Sequence, residues 1–350
     1  MSHRHLTSTN ALAAAIAPVI IMALLLQAPA AGQTSPAAAK AKASAKTWAP
    51  TRTPDGQPDL QGFWNNSTLT PLERPKELAG KQVLSEAEAA EYQKRLLEEA
   101  DAPNPQSDGL PLGLQVGRSL GASWFERGKL VESRRTSLIV DPPDGRVPSL
   151  TPAAQKLAAA RAQERKLHPA DGPEDRSLTE RCLIWPSVGP PMMPTGYNSN
   201  YQIVQGPGYV MIFVEMIHDA RLIPLDGRPH LAPGIRQWMG DSRGHWEGNT
   251  LVVDTTNFNS KTAFRGSSEN LHLVERFTRT DADTIRYEFT VDDPATYTKP
   301  WTAEIPMRKT HGPIYEYACS EGNYSLADIL KGARAEEKRT AEQSSKPGSK

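Results

Sequence analysis

The chain has 350 residues and a formal net charge of zero, with 40 basic and 40 acidic side chains. Nucleic acids and anionic membrane surfaces both select basic patches, so this balance argues against both as partners. The 30 prolines disfavour an all-helical body and favour many turns and loops. Composition leaves the oligomeric state open.

The first 30 residues predict a cleavable export signal. A short polar stretch precedes an apolar run from Ala11 to Leu26, and Ala28-Pro29-Ala30 supplies the small-x-small pattern that signal peptidase recognises. The run is shorter than the roughly 20 apolar residues that span a bilayer, and Pro18 interrupts it, so a retained anchor is the less favoured alternative. We expect residues 31–50 to form a disordered linker. The mature protein would then be periplasmic or secreted, with no membrane attachment.

Two cysteines are present, Cys182 and Cys319. In an oxidising compartment such a pair can form one disulfide, and two buried thiols are the alternative. The predicted export favours the disulfide. Neither the number nor the spacing of the cysteines suggests a zinc or iron–sulfur site.

Residues 51–195 predict a loop-rich portion that contains two helices. The first spans Ser85–Ala100, with Ser85 as N-cap and Glu88 completing a capping box. The second opens at Thr151-Pro152 and runs to about Leu167. A short strand is expected at Ser137–Val140, and an irregular proline-rich stretch follows at Cys182–Pro194.

From residue 196 to 332 the pattern changes to about eight short strands joined by tight turns. Gly206-Pro207-Gly208 and Glu247-Gly248-Asn249 lie between apolar runs, and each is a hairpin signal. This spacing predicts a mainly β fold, with an antiparallel up-and-down, lipocalin-like barrel or a sandwich. We prefer the barrel, with a ligand cavity inside it. The last strand is predicted at Ile314–Cys319, and residues 333–350 are expected to be disordered.

A cluster of ionisable residues ends the long apolar run Tyr209–Ile217. In an unbroken strand Glu215, Asp219 and Arg221 would face one side and His218 the other. One interpretation is a structural ion pair in which Arg221 clamps Asp219 or Glu215. The other is a catalytic cluster at the barrel mouth, with His218 as the proton-transfer group.

A second cluster surrounds His272, which is flanked by Glu269, Glu275 and Arg276. Nearby carboxylates can raise the pKa of a histidine toward neutrality, so that it acts as a general acid or base. Cross-strand ion pairing at the surface is the alternative interpretation.

No cofactor is predicted. A metal site would require His218, His230 and His272 to converge on a carboxylate, and no His-x-His or His-Glu-x-x-His spacing supports this. The sequence contains no phosphate-binding glycine loop, no dinucleotide fingerprint and no Gly-x-Ser-x-Gly elbow.

Two functions stay open. The first is an exported enzyme that performs acid–base chemistry on a small organic molecule, aromatic or sugar-derived, in the barrel cavity. A lyase is preferred to an isomerase or hydrolase, because no nucleophile stands out. The second is a non-catalytic, lipocalin-like ligand-binding protein. The catalytic candidates are His218 and His272 as proton carriers, Asp219 with Glu269 or Glu275 as orienting groups, and Arg221 as the holder of an anionic or oxyanion group. The ligand-binding candidates are Tyr197, Asn198, Tyr201, Glu215, His230 and Arg276.

Five segments resemble an uncharacterised family of exported bacterial proteins. They are Thr53–Trp64, Glu215–Arg221, Trp246–Val253, Glu269–Phe277 and Tyr317–Tyr324. The resemblance covers the chain from about residue 51 to 335, and it implies export but no particular activity. Where the resembling proteins usually carry His after the cysteine of the last segment, this chain has Ser320, so any role of that His is absent or replaced here.

Overall fold

The computed structural model describes residues 48–101, 128–195, 197–262 and 264–345. The predicted export signal and nearly all of the predicted linker lie outside these residues. In the part of the chain that is described, none of the helices combines the length and the apolar character needed to cross a membrane.

The regular structure of the described residues comprises ten strands and three helices. The strands are β1 Gly62–Asn65, β2 Ile139–Asp141, β3 Asn200–Gly206, β4 Tyr209–Val214, β5 Ala220–Pro224, β6 Asp241–Glu247, β7 Thr250–Thr256, β8 His272–Arg279, β9 Thr284–Asp292 and β10 Trp301–Lys309. The helices are α1 Glu86–Asp101, α2 Pro152–Leu167 and α3 Tyr324–Ser345.

The strands form one antiparallel sheet in the order β5-β4-β3-β1-β10-β9-β8-β7-β6, with β2 paired to β10. The two ends of this order meet through side chains. Arg221 of β5 donates a hydrogen bond of 3.3 Å to the Ser242 hydroxyl of β6, and a side chain at Gly244 would collide with Ile223 and Leu225. The sheet is therefore a nearly closed barrel, which confirms the predicted mainly β, lipocalin-like class.

Side chains fill the interior of this barrel. Burial alternates along the strands, as on β10, where every second residue from Trp301 to Met307 is buried, because successive side chains point to opposite faces. Large aromatic residues dominate the core: Trp64, Tyr201, Phe277, Tyr287, Phe289 and Trp301. The ligand cavity that the sequence predicted inside the barrel stays a prediction, and aromatic rings are prominent in the barrel interior.

One end of the barrel is closed by residues 182–194, which we call the plug segment. Its members Val188 and Met192 are fully buried in the core. The Tyr201 hydroxyl donates to the Ser187 carbonyl at 2.9 Å, and the Met192 N–H donates to the Tyr287 hydroxyl at 3.0 Å. The predicted irregular stretch is thus part of the core.

Both predicted helices of the N-terminal half are confirmed. The Glu88 N–H donates to the Ser85 hydroxyl at 3.3 Å, and the Ser85 N–H donates to the Glu88 carboxylate at 2.9 Å, which completes the capping box of α1. Thr151 caps α2 by accepting from the Ala154 N–H at 3.1 Å. These caps satisfy N–H groups that lack partners in the first helical turn.

The N-terminal half also contributes to the barrel itself. Strand β1 pairs with β3 on one side and with β10 on the other, and the Trp64 indole N–H is satisfied by the Leu60 carbonyl at 3.0 Å. The predicted boundary at residue 196 therefore does not separate the barrel from the rest. A four-residue strand is too short to display a clear period, which explains why the sequence did not reveal it.

The C-terminal predictions were wrong in two places. The predicted strand Ile314–Cys319 has no ladder partner in the described structure and runs as an irregular segment. The predicted tail is helical as far as Ser345 in α3, where residues three apart form ion pairs such as Arg334–Glu337 and Arg339–Glu336. Alanine, glutamate, lysine and arginine all favour helix, so a polar composition did not mean disorder.

Cys182 and Cys319 form a disulfide, with their Cα atoms 5.6 Å apart. This confirms the predicted pairing. The bond ties the plug segment to the chain just before α3.

Candidate functional site

The first ionisable cluster does not form the continuous strand that the sequence predicted. Strand β4 ends at Val214, and Ile217 and His218 adopt positive φ angles of 65° and 59° in a tight turn. His218 points outward, where its ring packs edge-on against Phe213 with the ring centroids 4.4 Å apart. Arg221 points into the barrel and is buried. His218 and Arg221 therefore lie on opposite sides of the barrel wall.

Arg221 clamps Glu275 and not Asp219 or Glu215, as the sequence had suggested. The contact is bidentate, with nitrogen–oxygen distances of 3.1 and 2.6 Å, and the Tyr287 hydroxyl donates to the same carboxylate at 2.8 Å. Burial alone would lower the pKa of the Arg221 guanidinium, but the adjacent Glu275 outweighs it, so this pKa is raised. Burial, and then the charge of Glu275, raise the pKa of Tyr287 well above its ordinary value.

The other carboxylates of the first cluster have structural partners. Glu215 is buried and accepts hydrogen bonds from the Asn200 side chain at 2.5 Å and from the Tyr315 N–H at 3.3 Å. Asp219 accepts from the N–H of its neighbour Ala220 at 2.8 Å. In the described structure neither carboxylate is hydrogen-bonded to His218.

The second cluster is divided by the barrel wall. Burial along β8 alternates, so that Glu275 lies inside while His272 and Arg276 lie outside. Glu275 therefore cannot orient His272, contrary to one of the predicted roles. Arg276 pairs with Glu247 at 2.7 Å, and Glu269 is exposed in the loop before β8.

The remaining ligand-binding candidates lie close together in the chain but differ in burial. Tyr197 packs edge-on against Tyr317, with ring centroids 5.9 Å apart. Asn198 occupies a turn position with a φ angle of 47°. Of the three, only Tyr201 is part of the buried core.

Four side chains on the outer face form a continuous series of hydrogen bonds, Asp241–His230–Asp254–His272, which we call the histidine–aspartate chain. Nδ1 of His230 lies 3.0 Å from Asp241, and its Nε2 lies 2.9 Å from Asp254. The other oxygen of Asp254 lies 2.7 Å from Nε2 of His272. Alternation on β6, β7 and β8 turns Asp241, Asp254 and His272 outward, and the loop after β5 brings His230 over them.

Interactions within the histidine–aspartate chain shift the pKa values of His272 and Asp254. The hydrogen bond to Asp254 raises the pKa of His272, and burial opposes this only in part. Burial pushes the pKa of Asp254 upward, but hydrogen bonds and charge from His272 and then His230 outweigh it and leave this pKa lowered.

Of the four residues in the histidine–aspartate chain, the sequence predicted a functional role only for His230 and His272. Asp254 is the only acid within the apolar run of β7. The signal that could have revealed it is an acid that faces outward next to an outward-facing histidine on the neighbouring strand β8. The convergence of three histidines considered in the sequence does not occur, because His218 is elsewhere. No group of three or more potential metal ligands within the described ranges is arranged to hold a metal ion.

A cleft of about 950 Å³ lies at the plugged end of the barrel, and we call it the end cleft. One wall is α2 from Arg161 to its C-terminus, another is residues 174–191, and the third is the loop around Lys261 and Thr262. Apolar side chains contribute to its lining: Leu178, Ile184, Trp185 and Phe264. No sequence motif indicated this cleft, because its walls come from three separate segments.

The charges around the end cleft are unevenly paired. Arg176 pairs with Glu180, and Arg181 pairs with Glu174 at 2.8 Å. Three further cations line the cleft without an ion pair in the described structure: Arg161, Arg165 and Lys261. Arg161 and Arg165 are four residues apart and therefore lie on one face of α2.

The walls of the cleft are fixed from outside. The Asn323 side chain donates to the Glu180 carbonyl at 2.8 Å, and Arg334 of α3 donates to the Asp171 carbonyl at 2.7 Å. The disulfide fastens the same wall at Cys182. Such attachments preorganise a site and reduce the entropy lost on binding.

Comparison with known proteins adds no identification. Neither the models of known families nor the curated proteins contain a match to this chain. The resemblance to an exported family therefore stays a prediction from sequence.

Proposed function

We propose that this protein binds a small amphipathic organic anion in the end cleft. The observation that carries the proposal is the combination of a large apolar-lined cleft with unpaired cations. Its volume of about 950 Å³ lies at the upper end of the roughly 300–1,000 Å³ typical of small-molecule sites. The proposal therefore puts the ligand at the end of the barrel, whereas the sequence predicted a ligand inside it.

The apolar lining favours a ligand with a planar hydrophobic body. Trp185 and Phe264 offer aromatic surface, which prefers edge-on or offset contacts with another ring.

The charge balance favours a negative head group. Arg161, Arg165 and Lys261 form no ion pair among the described residues, and the acids Glu164 and Asp175 also line the cleft. The C-terminus of α2 adds a partial negative charge near Arg165, which opposes an anion within the last helical turn. The charge of these three cations outweighs that of the two acids and of the helix C-terminus. A carboxylate or sulfonate at the rim would pair with the cations.

The test uses two matched probes, 1-naphthoate and its neutral counterpart 1-naphthamide, with binding measured by calorimetry on the oxidised protein. We expect saturable binding of naphthoate and weaker binding of the amide. Absence of saturable binding of either probe at about 1 mM, the concentration that corresponds to roughly −4 kcal/mol, would contradict the proposal.

Two neighbouring substitutions on α2 provide the control. Arg165 lines the cleft, whereas the next residue, Lys166, is exposed and does not. Arg165→Glu should weaken naphthoate binding by roughly five-fold, which is the scale of an exposed ion pair. Lys166→Glu makes the same change of charge and should leave the affinity within about two-fold. Equal losses in both variants would place the ligand elsewhere.

A further inference from the structure

His272 is held at one ring nitrogen and open at the other. Its Nε2 lies 2.7 Å from Asp254, and its Nδ1 has no hydrogen-bond partner in the described structure. The side chain is 41% exposed, so small molecules in solvent can reach it. When the Nε2–H of the neutral ring donates a hydrogen bond to Asp254, Nδ1 carries the lone pair.

The rest of the histidine–aspartate chain fixes Asp254 from behind. Nε2 of His230 contacts Oδ1 of Asp254, the oxygen that His272 leaves open, and Nδ1 of His230 contacts Oδ2 of Asp241. Asp241 is in turn held by Arg243 at 2.8 Å and by the Leu231 N–H at 3.0 Å. His230 faces carboxylate oxygens at both ring nitrogens, so neither nitrogen is open to solvent ligands.

The two histidines differ in the number of ring nitrogens that the protein uses, and this difference indicates a structural role for His230 and a chemical role for His272. His230 uses both nitrogens inside the protein, as expected of a group that joins a loop to the barrel wall. His272 uses one nitrogen and leaves the other open, with a carboxylate fixing its orientation. A base held by a third group in this way is the arrangement that general acid–base catalysis requires.

We propose that His272 is a proton-transfer residue that acts through Nδ1 on a neutral or cationic carbon acid bound on the outer face of the barrel, with Asp254 and His230 as positioning residues. The site lies on the outer face, so it does not depend on ligand binding in the end cleft.

The step is a simple proton abstraction. A C–H bond next to a carbonyl group breaks, its electron pair stays on the substrate as an enolate, and the proton bonds to Nδ1. The protonated ring then returns a proton to carbon, or the enolate expels a leaving group in an elimination. The carboxylates beside His272 affect which substrate charge the site can accept. Asp254 and Asp292 flank the ring, and Arg276 on the same face is already paired with Glu247, so an anionic substrate is disfavoured.

The assay is exchange of substrate C–H for deuterium in D₂O, followed by proton NMR, which detects abstraction without knowledge of the natural product. The probes are dihydroxyacetone and phenylacetone, both neutral, and pyruvate as an anionic comparison. We expect exchange of at least one neutral probe above the buffer rate, with little effect on pyruvate. His272→Gln should reduce the protein-dependent rate at least about 100-fold, the scale of general-base catalysis.

His245 supplies the matched control, since it lies on the same outer face and its Nε2 is 3.1 Å from Glu247. His245→Gln should retain the exchange rate, provided that thermal denaturation finds all variants folded. A wild-type rate equal to buffer, undiminished exchange in His272→Gln, or an equal loss in His245→Gln would each overturn the proposal.

Asp254→Asn tests the positioning role through the pH profile. Exchange by the wild type should rise with pH through the pKa of His272, since the neutral ring is the base. Asp254 raises this pKa, so the amide should move the inflection to lower pH as well as reduce the rate. A merely structural aspartate would leave the inflection where it was.

Discussion

Glu275→Gln would leave Arg221 as a buried cation without a counter-charge. The Glu275 side chain is fully buried and that of Arg221 is 2% exposed, and the carboxylate also accepts from the Tyr287 hydroxyl at 2.8 Å. Breaking a buried ion pair by removing one partner costs about 3–5 kcal/mol. Glutamine keeps one acceptor oxygen, so we expect about 3 kcal/mol, which corresponds to a fall in Tm of roughly 5 °C for a domain of this size.

The double substitution Arg221→Met with Glu275→Leu tests the physical reason. It removes both charges together, and pairs replaced by apolar groups are often neutral in stability. The remaining cost comes mainly from the Tyr287 hydroxyl, which loses its acceptor, at about 1–3 kcal/mol. The double variant should therefore be no less stable than Glu275→Gln alone, although it loses more contacts.

Urea denaturation of the oxidised protein, at unchanged m-value, measures all three free energies of unfolding. The adjacent outward pair Arg276–Glu247, at 2.7 Å and with both side chains at least 37% exposed, provides the control. Glu247→Gln should cost no more than about 1 kcal/mol. If Glu275→Gln costs as little as this control, or if the double variant is the less stable, the reasoning fails.

Three further predictions follow from the same structure. Replacing Cys182 and Cys319 together by alanine should destabilise the protein by up to about 5 kcal/mol in the chain-entropy model, given the 137-residue separation, and urea denaturation that found no loss would contradict it. Gly244→Ala would collide with β5 side chains and should cost about 1–3 kcal/mol, measurable as a lower Tm. The raised pKa of His272 means that its stabilising contribution is complete below the unfolded-state pKa and is lost as pH rises through the folded one. The Tm difference between wild type and His272→Gln should accordingly be larger at acid than at alkaline pH, and a difference that grows with pH would refute the assignment.

Local patterns were enough to predict the two capped helices and most of the later strands of this protein. Ser85 and Glu88 lie three residues apart, and Thr151 caps a helix whose first N–H groups are its immediate neighbours in sequence. The alternation that defines β8, β9 and β10 likewise repeats every two residues. Signals of this kind depend on a few consecutive residues, so the sequence by itself determined the capped helices, the hairpins and the mainly β class.

Tertiary structure decided which partners those side chains meet. Arg221 finds Glu275 at a separation of 54 residues, because the two ends of the sheet come together when the barrel nearly closes. Asp254 joins His230 to His272 because a loop folds over strands whose order in the sheet no local pattern specifies. The end cleft arises in the same way from α2, the plug segment and a loop before β8. Periodicity fixes the face on which a side chain lies, but strand order and barrel closure determine what stands opposite, and both depend on contacts between distant parts of the chain.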